Sequence, residues 1–265
     1  MRTLRWFSLF YFALFCFGVF LCAIPAQGAD FEYREKIEAQ DGTSYLLAYY
    51  VQKFTPEELL LVIDEQHDDA GRFRDLYMDL TGVMVEGVRL DRLTFRMLDV
   101  RFNAPSEWAA GNVECKDALQ VYVNCLLRED DLNRKLATET FGGDDHWRNI
   151  SMEIRPSGLY ARGTYVAKVL FVKLNILIEV ESRLKVVKNK ELWLDNYVLR
   201  VNRLDVPGYV TRKAVAQIQP LLDLGRVPLP LKLHSVTFET GRALFSTRIP
   251  PRPIEGGITY RYQAK

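Results

Sequence analysis

Residues 170–186 read LFVKLNILIEVESRLKV, with an apolar residue at almost every second position. The even positions from Leu170 to Val186 are apolar except at Ser182, whereas the odd positions from Lys173 are mostly charged or polar. This period of two predicts an extended strand with one apolar and one polar face. At about 3.3 Å per residue the strand would be roughly 55 Å long. Either helices or a hydrocarbon guest must cover so long an apolar face, and the two alternatives imply different functions.

Three helices are predicted around this strand. The run Thr55-Pro56-Glu57-Glu58 combines an N-cap, a first-turn proline and two acids, so it predicts a helix reaching about Gln66. Residues 128–138 change to a four-residue apolar spacing, which predicts a short second helix. A third is introduced by Pro207-Gly208.

Most of the remaining chain is predicted as extended, including residues 31–53 with a turn at Asp41-Gly42, and a hairpin over 231–249. Residues 142–145 are predicted as a loop. Long alternating strands with a few separate helices predict an α+β fold with a mostly antiparallel sheet. We expect a single domain over residues 29–250, followed by a flexible Pro- and Gly-rich tail at 251–265.

Residues 1–28 have the pattern of an export signal. Arg2 and Arg5 precede a continuous apolar run from Trp6 to Ile24, and Ala26-Gln27-Gly28 offers small residues for cleavage before Ala29. The alternative is an uncleaved N-terminal membrane anchor, because the run approaches the length of a spanning helix. Both interpretations place the rest of the chain outside the cytoplasm, in the periplasm or cell envelope.

The charge balance argues against a nucleic-acid partner. The 265 residues carry 35 basic and 34 acidic side chains, a formal net charge of +1, and basic residues are scattered rather than clustered. Proteins that bind nucleic acid usually present a basic patch to the phosphates. No nucleic acid is therefore expected.

Two cysteines remain after the apolar N-terminal run, Cys115 and Cys125. In an oxidising compartment they could form a disulfide worth about 3 kcal/mol. Alternatively, Cys125 is a buried free thiol, because it shares a strand face with apolar residues. Both interpretations stay open.

Catalytic and metal-binding patterns are weak. The sequence contains three histidines and lacks a nucleophile elbow, a phosphate-binding loop and a zinc-binding HExxH. The acidic run around His67 and the one before His146 could attract a hard cation, but neither has EF-hand spacing. We predict no enzyme activity, no metal and no cofactor.

Four motifs between about residues 82 and 250 resemble the LmeA-type family of bacterial secreted phospholipid-binding proteins. They are Gly87–Phe95 with Leu98–Phe102 after it, the helix start at Glu129–Leu136, the long strands around Tyr165–Val186, and Leu224–Leu231 before a closing hairpin. The resemblance implies an elongated sheet wrapped around helices, similar to tubular lipid-binding modules, with acyl chains in an apolar groove. It implies no catalytic residues.

A phospholipid or another acyl-chain lipid is thus the expected partner, with transient contact to a membrane surface; the oligomeric state is left open. The candidate lipid-contacting residues are the apolar face of the long strand and four leucines near a mouth: Leu170, Val172, Leu174, Ile176, Ile178, Val180, Leu184, Val186, Leu221, Leu222, Leu229 and Leu231. The alternative for each is ordinary core packing.

Three functions follow in order of preference. The first is lipid binding or lipid transfer in the envelope. The second is a non-enzymatic structural or protein-interaction domain with a fully packed core. The third is a metal-dependent hydrolase, which would require the acidic runs near His67 and His146 to converge.

Overall fold

The computed structural model describes residues 29–85, 87–138, 146–169, 172–216, 219–220, 222–223 and 232–265, and only the backbone at residues 138, 168, 169, 172, 214, 222 and 223. These residues form two sheets and three α-helices, α1 (Gly42–Phe54), α2 (Glu129–Thr138) and α3 (Gly208–Ala216), with a 3₁₀ turn at Pro105–Ala110. The predicted α+β class with mostly antiparallel strands is confirmed.

Sheet A has eight strands. Their spatial order is β1 (Asp30–Arg34), β14 (Ile258–Gln263), β2 (Glu58–Ile63), β3 (Arg72–Val85), β4 (Val88–Phe102), β5 (Cys115–Arg128), β13 (Arg242–Ser246) and β12 (Ser235–Glu239). β1 lies parallel to β14, and every other described pairing in the sheet is antiparallel.

Sheet B contains the long strand. Its spatial order is β10 (Leu204–Asp205), β9 (Glu191–Val201), β8 (Val172–Val187), β7 (Gly158–Val169) and β6 (Trp147–Arg155), and β11 (Leu222–Asp223) also pairs with β9. β8 confirms the extended segment read from the period of two. The long sheet that the sequence suggested is thus divided into two sheets.

The inner face of sheet A is filled by the protein itself. Helix α1 buries Leu46, Leu47 and Tyr50 completely or nearly so, and the Tyr50 ring lies 6.3 Å from the ring of Phe95 on β4. Trp108, from the 3₁₀ turn, stacks on Phe73 at 6.1 Å. Sheet A therefore has a core formed by protein side chains.

Residues 31–34 are extended in β1, as predicted, but the extended chain predicted up to residue 53 and the helix predicted over residues 55–66 are wrong. The helix is α1, and Asp41 is its N-cap. The Asp41 carboxylate accepts a 2.7 Å hydrogen bond from the Ser44 amide, and the Ser44 hydroxyl accepts a 3.0 Å hydrogen bond from the Asp41 amide. Thr55 ends it in a left-handed conformation, φ 41°. The segment after Thr55 contains β2, because pairing with β14 on one side and β3 on the other satisfies its backbone, and Leu59 and Leu61 are buried there.

The prediction of a flexible tail at 251–265 is also wrong for residues 258–263. They form β14 between β1 and β2, and Tyr260 is fully buried. The Tyr260 hydroxyl accepts a 2.8 Å hydrogen bond from Gln66. The alternation of Ile258, Tyr260 and Tyr262 is a strand pattern that the flanking prolines and glycines obscured.

Cys115 and Cys125 are free thiols on the same strand, β5. Ten residues of extended chain separate them by roughly 33 Å, whereas disulfide-bonded Cα atoms lie within about 7 Å. The intramolecular disulfide is therefore excluded in this fold, and the free-thiol alternative holds.

Both thiols should be slow to react. Burial raises the pKa of Cys115 to about 11 and that of Cys125 to about 12, so at pH 8 neither is a thiolate in the folded chain. We expect N-ethylmaleimide to modify Cys125 only after unfolding in guanidinium, with each cysteine read separately by peptide mass spectrometry. Equal rates before and after unfolding would contradict this burial.

The two buried thiols also make stability depend on pH. Because their folded pKa values exceed the unfolded value of 9.0, the contribution of the neutral thiols to the free energy of unfolding is full below pH 9 and is lost as the pH rises toward 11–12.

Candidate functional site

The apolar face of sheet B is built from rows of side chains that cross the strands. Register places Gly163, Ile178, Val201 and Leu204 in one row from β7 to β10. The next row is Met152, Ala161, Val180 and Leu199, and on the other side lies the row of Trp147, Tyr165 and Ile176. Directly paired residues point to the same face of a sheet, so these rows form one continuous apolar surface.

One half of this face belongs to the protein core. From Ser182 onward, β8 packs with β9 against the core of sheet A: Leu192 and Leu194 are buried, and Leu184 and Val186 pack on the core. β12, at the edge of sheet A, contacts β8 and β6, and the Leu233 amide just before it donates to the Asn189 carbonyl just after β8. Leu184 and Val186 are thus structural contacts.

The other half is open. Ile176, Ile178 and Val180 are half-buried, as are their row neighbours Tyr165 and Val201, and none of them belongs to the core cluster. Exposure increases toward the far end of β8, where the Leu174 residue is 44% exposed. A strand of uniform sequence pattern is therefore half core and half accessible surface.

A groove of about 370 Å³ lies on this open half. It is lined almost entirely by apolar side chains, with Arg162 as the charged exception: Leu136, Trp147, Ile150, Met152, Ala161, Arg162, Gly163, Ile178 and Val180. Ligand pockets in proteins range over about 300–1,000 Å³, so this volume suits part of a lipid tail rather than a whole phospholipid.

Helix α2 forms the side wall of the groove through Leu136. Side chains of α2 hydrogen-bond the backbone of the edge strand β6, as a neighbouring strand would. The Asn133 amide donates to the Met152 carbonyl and accepts from the Met152 amide, both at 2.8 Å, and Glu129 accepts from the Ile154 amide at 2.7 Å. Gly241, in the β12–β13 turn, donates to the Ile154 carbonyl at 2.8 Å.

The floor of the groove depends on Gly163. A Cβ atom at this position would lie 3.2 Å from both Ile150 and the Trp147 ring. The missing side chain lets the indole of Trp147 lie over the strand, where it also meets the Tyr165 ring edge-to-face at 5.4 Å. An aromatic wall thus closes one side of the groove.

Among the predicted contact residues, the groove includes Ile178 and Val180, with Ile176 in the adjoining row. Leu170, Leu221, Leu229 and Leu231 lie outside the described residues, and Val172 and Leu222 are described only by their backbone. The groove residues not predicted are Leu136, Trp147, Ile150, Met152, Ala161, Arg162 and Gly163. Alternation along β6 and β7 could have pointed to Met152 and Ala161, but not to their pairing with β8.

The acidic run at residues 64–69 has structural roles. Asp64 accepts from Arg74 at 2.6 Å, and Asp68 accepts from the amides of Ala70 and Arg72. The His67 ring packs against Trp108 at 4.8 Å. Within the described part of the chain, no three His, Cys, Asp or Glu side chains are placed to hold a metal ion.

No helix within the described ranges is both long and apolar enough to cross a membrane.

Comparison with known proteins gives one match. The model of a family described as LmeA-like phospholipid-binding matches residues 70–247. This range includes all of sheet B, five of the eight strands of sheet A and all of the groove residues. No curated protein and no solved structure shows detectable similarity to the chain.

Proposed function

The chain belongs to the LmeA-like phospholipid-binding family, and we propose that the open half of sheet B is where it holds the acyl chain of a phospholipid. The observation that carries this proposal is the change of environment along β8. Ile178 and Val180 have the same sequence pattern as Leu184 and Val186, yet only the second pair is covered by the protein core.

The physical basis is transfer of hydrocarbon. Each buried CH₂ group of an acyl chain contributes about 0.8 kcal/mol, so a phospholipid does not leave a bilayer for water at a useful rate. An apolar groove offers the chain an environment close to that of the membrane, so exchange between the two is nearly balanced in free energy. Such exchange requires neither a nucleotide nor a metal.

We further propose lipid transfer or lipid homeostasis in the cell envelope as the biological setting. The N-terminal pattern of residues 1–28 supports export, either as a cleaved signal or as an anchor. The matched family is described by phospholipid binding rather than by a reaction, and we propose that the chain acts as a carrier and not as an enzyme.

The competing function is a structural scaffold, which requires a fully packed core. Sheet A meets this requirement, because α1 and Trp108 fill its inner face. Sheet B does not, because three of its rows remain half-exposed around a groove. The lipid-binding function is therefore the better supported one.

The test is organic extraction of the purified protein followed by mass spectrometry. We expect phospholipid in an amount comparable to the protein, and none above background in an unrelated exported protein purified in parallel. A folded, monodisperse sample without lipid that also takes up none from phospholipid vesicles would leave the scaffold function in its place.

A further inference from the structure

The open end of sheet B carries exposed apolar side chains. Leu174 is 44% exposed, Leu204 73%, Tyr209 71% and Val210 39%. Leu204 pairs with Val201, which pairs with Ile178, so Leu204 extends the groove row to the sheet edge. Tyr209 and Val210 start α3, which follows directly after β10, at the same end of β9.

The same end carries cations that form no ion pair with any residue that the structure describes. Lys173, Arg203, Arg212 and Lys213 are exposed, and within the described residues none of them forms an ion pair. Elsewhere on sheet B, Arg155 and Lys185 form ion pairs and Arg200 pairs with both Glu181 and Asp205. Arg162 and Arg183 instead donate hydrogen bonds to neutral oxygens. Asp205, the acid nearest in sequence to Arg203, is thus already engaged.

This end combines exposed leucine and tyrosine with Lys and Arg that form no ion pair with a described residue. Surfaces that lie at the headgroup layer of a membrane have this composition. Tyrosine favours the membrane–water interface, and Lys and Arg extend to the headgroups from an apolar base. A protein partner would need a complementary acidic patch, whereas an anionic bilayer supplies negative charge at every point of its surface.

We propose that this end of sheet B, formed by Lys173, Leu174, Arg203, Leu204, Tyr209, Val210, Arg212 and Lys213, docks on the surface of a membrane that contains anionic phospholipid. The inference rests on the proposed function, because the row from Leu204 through Val201 to Ile178 then leads an acyl chain from the bilayer into the groove.

The test is hydrogen–deuterium exchange of the full chain mixed with vesicles. Residues 202–213 are compared with residues 104–114, which lie at the 3₁₀ turn of sheet A. We expect protection of 202–213, and not of 104–114, with vesicles of phosphatidylcholine plus phosphatidylglycerol, and little with phosphatidylcholine alone. This readout is local, so vesicle binding through residues 1–28 does not imitate it.

Charge-reversal variants test the electrostatic part of the docking quantitatively. Each Lys or Arg near an anionic surface contributes roughly fivefold in binding, so Arg203→Glu with Lys213→Glu should raise the lipid concentration at half-protection by at least about 20-fold. The matched control is Arg248→Glu with Arg252→Glu, which makes the same charge change at two exposed arginines on the sheet A side. The control pair should shift the midpoint much less.

Three results would overturn the docking proposal. The first is equal protection of residues 202–213 with neutral and with anionic vesicles. The second is an equal shift of the lipid concentration at half-protection in both double variants. The third is protection of residues 202–213 that rises with protein concentration in the absence of vesicles, which would assign this surface to contact with a second copy of the chain. Extraction of phospholipid from the same preparations reports on the proposed function separately. Loss of docking with retained lipid would therefore overturn only this inference.

Discussion

Ile178→Asp is expected to abolish co-purification of phospholipid. Ile178 lies at the centre of the open half, between Gly163 and Val201, and lines the groove. A carboxylate there would lose its hydration when an acyl chain entered, at a cost of several kcal/mol, which corresponds to more than a tenfold loss of bound lipid. The same change at Ile176, in the next row, should act in the same direction.

Leu177→Asp is the matched control. It introduces the same group one residue away, on the opposite face of β8, where Leu177 pairs with Thr164. We expect this variant to keep its lipid. Lipid content is measured by extraction and mass spectrometry, and folding by circular dichroism and thermal unfolding. Unchanged lipid in a folded Ile178→Asp variant would show that the groove is not the binding site.

Asp131→Ala is expected to produce the largest loss of stability, about 3 kcal/mol. The Asp131 side chain is fully buried at the start of α2, and it accepts hydrogen bonds from Arg89 of β4 at 3.1 and 3.3 Å and from Arg134. Without Asp131, the partly buried Arg89 loses its buried partner, and α2 loses its ion pair with β4 of sheet A. Chemical denaturation measures the change.

Arg134→Ala provides the comparison. Arg134 contacts the same carboxylate but is 69% exposed, so its removal should cost less than about 1 kcal/mol. Asp131→Asn, which keeps the shape and loses the charge, should fall between the two. If Asp131→Ala and Arg134→Ala are equally mild, the buried carboxylate does not hold α2 in place.

Local patterns predicted β8 and the helices α2 and α3 correctly, and the helix over residues 55–66 wrongly. The alternation at Ile176, Ile178 and Val180 is a property of β8 alone, so it could be read directly. The run at residues 55–58 has the features of a helix start, yet residues 58–63 form a strand between two partner strands, with Leu59 and Leu61 buried. Propensity is a weak local preference, and these tertiary pairings override it.

The site was only partly predictable for a different reason. Ile178 and Leu184 follow the same alternation, and what separates them is the approach of β12, which lies about 50 residues further along the chain. The groove wall from Leu136 depends on Asn133 and Glu129 reaching the edge of β6. No single-strand pattern contains these long-range contacts.

The half-exposed rows of sheet B also bear on how the purified protein behaves when it carries nothing. Contiguous apolar surface of this kind promotes self-association. A guest would mask it and, by binding only the folded state, would also raise the melting temperature. Delipidated samples should thus be less soluble and more prone to precipitate than freshly isolated ones, and storage with detergent or lipid should restore their monodispersity.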